Sequence, residues 1–311
     1  MLRLIFWLTL IVSSHAHFDV PCSQDPQTYP RHIEHSPCFS TLIHDIFVFG
    51  DSYSDNGQRP LTREDYAAND FNTTRWSNGP VTMEYFSKLI GANLHNYANS
   101  GATINNTIAS RNTGDLADQY MAFQQDGKMT AAGSTAYVFW FGVNDLHDIF
   151  VQHMEEDRAR LVQDALNSLL HVMDVVYRAN TGSLAARYFM VFSPPPLQYL
   201  PKLANQFNDT HTKDQLGQLV LQYNDGLRTV LVSLVDKHPD ARTIFYDTHR
   251  FLSEFFIAKS PFTNLFDPCL TEAGVCADPQ QHFWWDSWHL STVTHQLIAS
   301  DAVHSLHRSN E

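Results

Sequence analysis

The chain has 311 residues, 43% of them hydrophobic and 17% charged, with 33 acidic against 20 basic side chains and a formal net charge of −13. That balance speaks against nucleic acid or anionic lipid as a partner, since both are held through clustered Lys and Arg. The apolar fraction is enough for a sizeable core, and the 17 histidines would offset part of the negative charge in a mildly acidic medium.

The first sixteen residues read as an export signal. Met1-Leu2-Arg3 gives a short positive start, residues 4–12 are apolar apart from Thr9, and Ser14-His15-Ala16 places small residues where a signal peptidase inspects them. The run is too short to span a bilayer, and no later stretch is long enough, so the expectation is a secreted, extracellular protein without stable membrane insertion. Residues 17–44 then form an N-terminal arm, and residues 45–311 one domain without repeats, low-complexity tracts or an obvious linker. Four cysteines in an exported chain suggest two disulfides. Three pairings are possible; the local one, Cys22 with Cys38 and Cys269 with Cys276, is expected. Asn72, Asn105 and Asn208 open glycosylation sequons.

From residue 45 onward β-rich runs alternate with helical stretches. Residues 45–50 form a buried strand that stops at a glycine. Residues 81–90 have helical spacing, 94–97 make a weaker strand, and 136–142 make the strongest buried strand. A helix over 156–178 leads to a strand over 186–192, cut off by Pro194-Pro195-Pro196. A long amphipathic helix over 212–237 precedes a strand over 243–246, and the last helix starts at Ser291-Thr292, which can cap it, and runs to about Leu306. Apolar strands alternating with helices imply a mainly parallel sheet between helical layers, with its ligand site at the carboxyl ends of the strands.

The segments at the strand ends carry the chemistry. The first strand ends in Gly50-Asp51-Ser52-Tyr53-Ser54-Asp55, where a serine one step past a strand exposes both its hydroxyl and its own N–H. The second runs into Asn96-Tyr97-Ala98-Asn99-Ser100-Gly101, where a glycine lets backbone approach a substrate closely. The third ends in Gly142-Val143-Asn144-Asp145, whose Asn144 amide could donate to a developing negative oxygen or cap the next helix. Just before the last helix stand Asp286-Ser287-Trp288-His289, and an Asp and a His three residues apart in a turn can touch, one fixing the tautomer of the other. No Gly-x-Ser-x-Gly elbow and no His-Glu-x-x-His zinc motif occur, and the cysteine spacing fits no zinc pattern.

These four segments, in this order and spacing, resemble the GDSL (SGNH) hydrolases over about residues 45–299. Arg75-Trp76-Ser77-Asn78-Gly79-Pro80, Ser193 with its three prolines, and Thr292 with His295 fit as well; Gln58, where many members carry Asn, departs. The resemblance implies a three-layer α/β/α sandwich with a flavodoxin-like, mainly parallel five-stranded sheet. It implies Ser52 as nucleophile, His289 as base and Asp286 as the base's partner. The Ser52 and Gly101 amides and the Asn144 side chain would form the oxyanion hole, with no cofactor and no metal. The reaction implied is ester hydrolysis by a monomer acting on a small-molecule or oligosaccharide ester, with acetyl or short-chain esters of plant cell-wall carbohydrate expected, as in fungal acetylesterases of the family. A lipase or phospholipase acting on acyl lipids, and a secreted binding protein that has lost catalysis, are the competing readings. Trp76, Trp284, Trp285 and Trp288 are expected as exposed aromatics near the site, suited to sugar stacking or to an acyl groove.

Overall fold

A computed structural model describes residues 42–57, 75–109, 111–127, 134–179, 187–258 and 260–307. The export signal, most of the arm, Cys22, Cys38, Gln58 and the Asn72 sequon lie outside the described residues. The described elements are β1 (Asp45–Gly50), α1 (Thr82–Ile90), β2 (Asn93–Asn96), α2 (Leu116–Asp126), β3 (Thr135–Trp140), α3 (Val143–Gln152), α4 (Glu155–Ala179), β4 (Tyr188–Phe192), α5 (Pro201–Gln206), α6 (Thr210–Lys237), β5 (Arg242–Tyr246), α7 (Thr248–Ile257), the two-residue strands β6 (Leu270–Thr271) and β7 (Gly274–Val275), and α8 (Thr292–His307).

The five long strands pair in the order β2-β1-β3-β4-β5, every neighbour parallel. This is the flavodoxin-like order, with its reversal point between β1 and β3. Both faces are covered, which explains why β1, β3 and β4 read as continuous apolar runs rather than alternating ones. On one face Phe47 and Phe49 meet Phe123 of α2 edge to face, and α4 packs on α6. On the other, Phe86 of α1 meets Phe192 of β4, and α1 packs along α8. The sequence thus foretells the five strands to within about two residues. Helices α2, α3 and α7 and the short α5 are not foretold.

The strand over residues 136–142 ends two residues early, at Trp140, for a steric reason. Gly142 sits at φ +124°, and a Cβ there would lie 2.9 Å from the Tyr223 ring and 3.1 Å from Pro194. The chain can therefore leave the sheet and enter α3 only through a glycine.

A buried ion pair fixes the loop that links the two ends of the domain. Arg75 donates from Nε and Nη2 to Glu84 at 2.8 and 2.6 Å, and Glu84 also accepts the Val81 N–H. From that anchor Ser77 Oγ donates to the Leu290 carbonyl, Asn78 accepts the Thr292 N–H, and Thr292 Oγ1 donates to the Pro80 carbonyl.

Cys269 and Cys276 are disulfide-bonded as the local pairing requires, with Cα atoms 4.8 Å apart. The hairpin they close is attached by backbone to the segment before α8. Cys269 N–H donates to the Trp284 carbonyl, Leu270 N–H to the Trp285 carbonyl, and Trp285 N–H to the His289 carbonyl. So short a loop loses little entropy on closure, and replacing both cysteines by serine should lower unfolding free energy by only ~2 kcal/mol. The local effect should be larger: hydrogen exchange should show the Trp285 amide opening faster in the double variant, with α4 and α6 unchanged. Uniform acceleration across all helices would contradict this local role.

Candidate active site

Ser52 lies in a single helical turn that begins where β1 ends. Ser54 and Asp55 N–H donate to the Asp51 carbonyl, and Tyr53 N–H donates to the Asp51 carboxylate. Behind the turn, buried Gln119 of α2 accepts the Gly50 N–H and donates to the Gly50 carbonyl, so the last residue of β1 is held from both sides. Ser52 is thereby set at the carboxyl edge of the sheet.

The glycine loop and the Asn144 helix arrive at the same edge by strand register. β1 pairs Gly50 with Trp140 of β3 and Val48 with Asn96 of β2. Asp55 then ties the first loop to the second, accepting both the N–H and the hydroxyl of Ser100. Gly101 holds φ +81° with its carbonyl accepting from Thr113 Oγ1, and a Cβ at this position would approach the Thr113 methyl at 3.0 Å. Among the described residues neither Ser52 N–H nor Gly101 N–H has a protein acceptor. Asn144 is in the first turn of α3 rather than capping it, since Gly142 holds the cap position; its Nδ2 donates to the Ala102 carbonyl at 2.8 Å. Ser52, Gly101 and Asn144 line one cleft of about 310 Å³ together with Tyr53, Trp76, Ser100, Arg111, Val143, Trp288 and His289.

The histidine reaches this cleft from the far end of the chain. His289 Nε2 is 3.0 Å from Ser52 Oγ, and His289 Nδ1 is 2.8 Å from both oxygens of Asp286. Asp286 also accepts the N–H groups of Trp288 and His289, so the three-residue turn closes on the carboxylate. Burial pushes the Asp286 carboxyl up, but the His289 ring, its charge and those two N–H groups outweigh it, and the carboxyl sits below its ordinary range. An ionised Asp286 holds the proton on Nδ1 and leaves Nε2 as the acceptor facing the hydroxyl. The turn is braced from outside: Tyr53 donates to the Trp288 carbonyl, and Lys202 N–H, at the start of α5, to the Ser287 carbonyl. Every site residue singled out from sequence meets in one place.

Further charged and titratable groups surround these residues. Arg111 lines the cleft and pairs with Asp148, whose carboxyl is driven down to about 2: burial raises it, but the Arg111 and His147 partners prevail. Asp51 and Asp145 are wholly buried beneath the loops, and burial lifts them to about 7 and about 6. His295, behind His289, is pushed down to about 3 by burial and by the His289 charge, and its Nδ1 meets Thr82 Oγ1 at 2.8 Å. Among the described residues no group of three or more His, Cys, Asp or Glu side chains could hold a metal ion. A lone charged residue such as Arg111 carries no local pattern that a sequence could display.

Of the four tryptophans expected on the surface, Trp284 is a correction. It is fully buried, donating its indole N–H to the Leu265 carbonyl and packing on Phe283. Its place in the small antiparallel bridge to Leu290 turns it inward. Trp285 and Trp288 are partly buried, and Trp76 is 50% exposed, stacked on the His289 ring at 5.1 Å and 27°.

A doubly wound parallel sheet that gathers a serine hydroxyl, an imidazole and a carboxylate at its carboxyl edge has the layout that acyl-transfer chemistry uses. The sequence profile of the GDSL-like lipase/acylhydrolase family matches residues 46–302, and the chain belongs to that family. It is a carboxylic ester hydrolase. The chain is similar to the thermolabile hemolysin of Vibrio parahaemolyticus, with 24% identity covering 85% of this chain and 64% of that protein, so it spans less than two thirds of the hemolysin's length. An acetylesterase of Hypocrea jecorina is 23% identical over 82% of this chain and 86% of its own length. Among solved structures, the carbohydrate acetylesterase Est24 of Sinorhizobium meliloti superposes with a TM-score of 0.46 at 15% identity, over 85% of this chain and 99% of that one.

The buried Asp51 gives a pH signature of definite sign. Its folded pKa is raised from 3.8 to about 7, so its contribution to stability is fully present below 3.8 and is lost as pH rises through about 7. Asp51→Asn keeps the acceptor for the Tyr53 N–H and removes the titration. Urea unfolding should therefore show the variant gaining on the parent protein between about pH 4 and about pH 8. A difference that stays constant over that range would mean Asp51 does not carry a buried proton.

Proposed function

We propose that the protein hydrolyses acetyl and other short-chain carboxylic esters, with acetylated carbohydrate as the substrate class, through an acyl-enzyme on Ser52. The observation that carries this reading is the unbroken chain from Ser52 Oγ through His289 to Asp286, opening into the cleft that Gly101 and Asn144 share. His289 Nε2 takes the hydroxyl proton as Ser52 Oγ adds to the ester carbonyl. The oxyanion that forms is held by the N–H groups of Ser52 and Gly101 and by the Asn144 amide. As the tetrahedral centre collapses, His289 returns the proton to the leaving alcohol. A water activated by the same nitrogen then releases the acid, and Asp286 stabilises the imidazolium in both halves.

Two features support carbohydrate. Trp76 stacks on the His289 ring, the group that must protonate the leaving alcohol, with half its surface exposed, so a sugar could stack on its free face. The acetylesterase relative points the same way. The apolar groups Tyr53, Val143 and Trp288 in the cleft would equally suit a longer acyl chain, which makes a lipase the competing reading. Export is part of the proposal, on the apolar run after Arg3 and the Cys269–Cys276 disulfide, with residues 1–16 as signal and residues 45–311 as the hydrolase domain. No helix among the described residues is long and apolar enough to cross a membrane.

A series of para-nitrophenyl esters from acetate to palmitate, together with acetylated xylo-oligosaccharides, tests the reading. Turnover should be highest at two to four acyl carbons, and Ser52→Ala should lose on the order of 10⁴ in kcat with the fold intact. Trp76→Ala should cost several-fold in kcat/KM on the oligosaccharide and much less on ethyl acetate. Highest turnover on palmitate would favour the lipase reading.

A further inference from the structure

An asparagine is a poor oxyanion donor unless something decides which way its amide faces. Its oxygen and nitrogen ends are nearly the same shape, and only one orientation presents N–H to a developing charge. At Asn144 the decision is made by two partners of opposite and fixed character. Arg111 Nη1 lies 2.9 Å from Asn144 Oδ1 and can only donate; the Ala102 carbonyl lies 2.8 Å from Asn144 Nδ2 and can only accept. Turning the amide over would set N–H against N–H and oxygen against oxygen. One Nδ2 hydrogen is thus spent on Ala102 and the second is left for the cleft.

The same guanidinium is tied to the other side of the hole. Nη1 also donates to the Gly101 carbonyl at 3.2 Å, while Nε and Nη2 form a two-point pair with Asp148 of α3 at 2.5 and 2.9 Å. Asp148 is in turn contacted by His147 Nδ1, and the His147 ring meets Trp288 edge to face at 5.0 Å. Arg111 is therefore held rigidly from behind and bridges the loop after β2 to the first turn of α3, the two places that supply the non-nucleophile donors.

We propose that Arg111 is the positioning residue of the oxyanion hole, acting through Asn144 by fixing its amide in the donating geometry. The inference rests on the reading that Asn144 is an oxyanion donor, and the test separates the two. A planar, charged fork is required, because one group must reach Asp148, Gly101 and Asn144 together. A lysine keeps the charge but cannot do so.

The experiment is a double-mutant cycle on para-nitrophenyl acetate with the full chain, combining Arg111→Met and Asn144→Ala. Asn144→Ala alone should lower kcat by about 10² to 10³ with KM nearly unchanged. Arg111→Met alone should lower kcat by about 10- to 100-fold, also with KM within about twofold. Because Arg111 acts through Asn144, adding Arg111→Met to Asn144→Ala should change kcat by less than about threefold. Arg111→Lys should lose kcat like the methionine variant, and it carries the cycle if the methionine variant does not fold. Losses that multiply in the double variant, a rise in KM with kcat intact, or wild-type kcat in Arg111→Lys would each overturn the proposal. If Asn144→Ala itself kept wild-type kcat, the oxyanion reading of Asn144 would fall, and the inference with it; an impaired Asn144→Ala beside an unimpaired Arg111→Met would remove the inference alone.

Discussion

Parallel pairing of β1 with β2 and β3 is the constraint on which the site depends. Because Gly50 stands opposite Trp140, and Val48 opposite Asn96, three chain segments leave the sheet side by side at one edge. A slip of one residue in either pairing would exchange the faces of Ile46, Phe47, Val48 and Phe49, all buried, and undo the edge-to-face packing of Phe47 and Phe49 on Phe123, so the register is held by specific core contacts. The positions of the Ser52 hydroxyl and the Gly101 and Asn144 donors are thus consequences of core packing. Gly142 completes the effect, since only a residue without Cβ can turn beside Tyr223 and Pro194.

The Asp286–His289 pair has a different origin. Asp286 and His289 sit on no strand; they occupy a turn just ahead of α8, and its placement is inherited from neighbours. The Arg75–Glu84 pair anchors the loop that receives Leu290 and Thr292, the disulfide hairpin grips the carbonyls of Trp284 and Trp285, and Tyr53 reaches across from the nucleophile turn to the Trp288 carbonyl. Several separate attachments hold one turn, which is what a 3.0 Å approach between residues 237 positions apart requires.

This division also decides how far the sequence could be read. Strands buried on both faces announce themselves as apolar runs, ended by glycine in β1 and β3 and by prolines after β4, so most of the sheet and the segments at its carboxyl edge are legible. The Asp286–His289 turn was legible because its contact is local. Helices α2, α3, α5 and α7 were not. α2 begins in a polar stretch, α3 comes directly after a strand through Gly142, α5 is only six residues long, and α7 is separated from its strand by Asp247 alone. The burial of Trp284 is not legible, because an indole near a site reads the same whether it faces solvent or core. Arg111 carries no signal in the sequence, since its meaning lies in contacts with Gly101, Asn144 and Asp148 that distant segments bring together.

The central claim is that Ser52, activated by His289, is the acyl-accepting group. A fluorophosphonate that reacts only with activated serines tests it most directly, read by mass spectrometry of the digested protein. One label is expected, on Ser52, with its rate lowered on the order of 10³-fold when His289 is replaced by alanine. A label on any other serine, or labelling of Ser52 at an unchanged rate without His289, would contradict it.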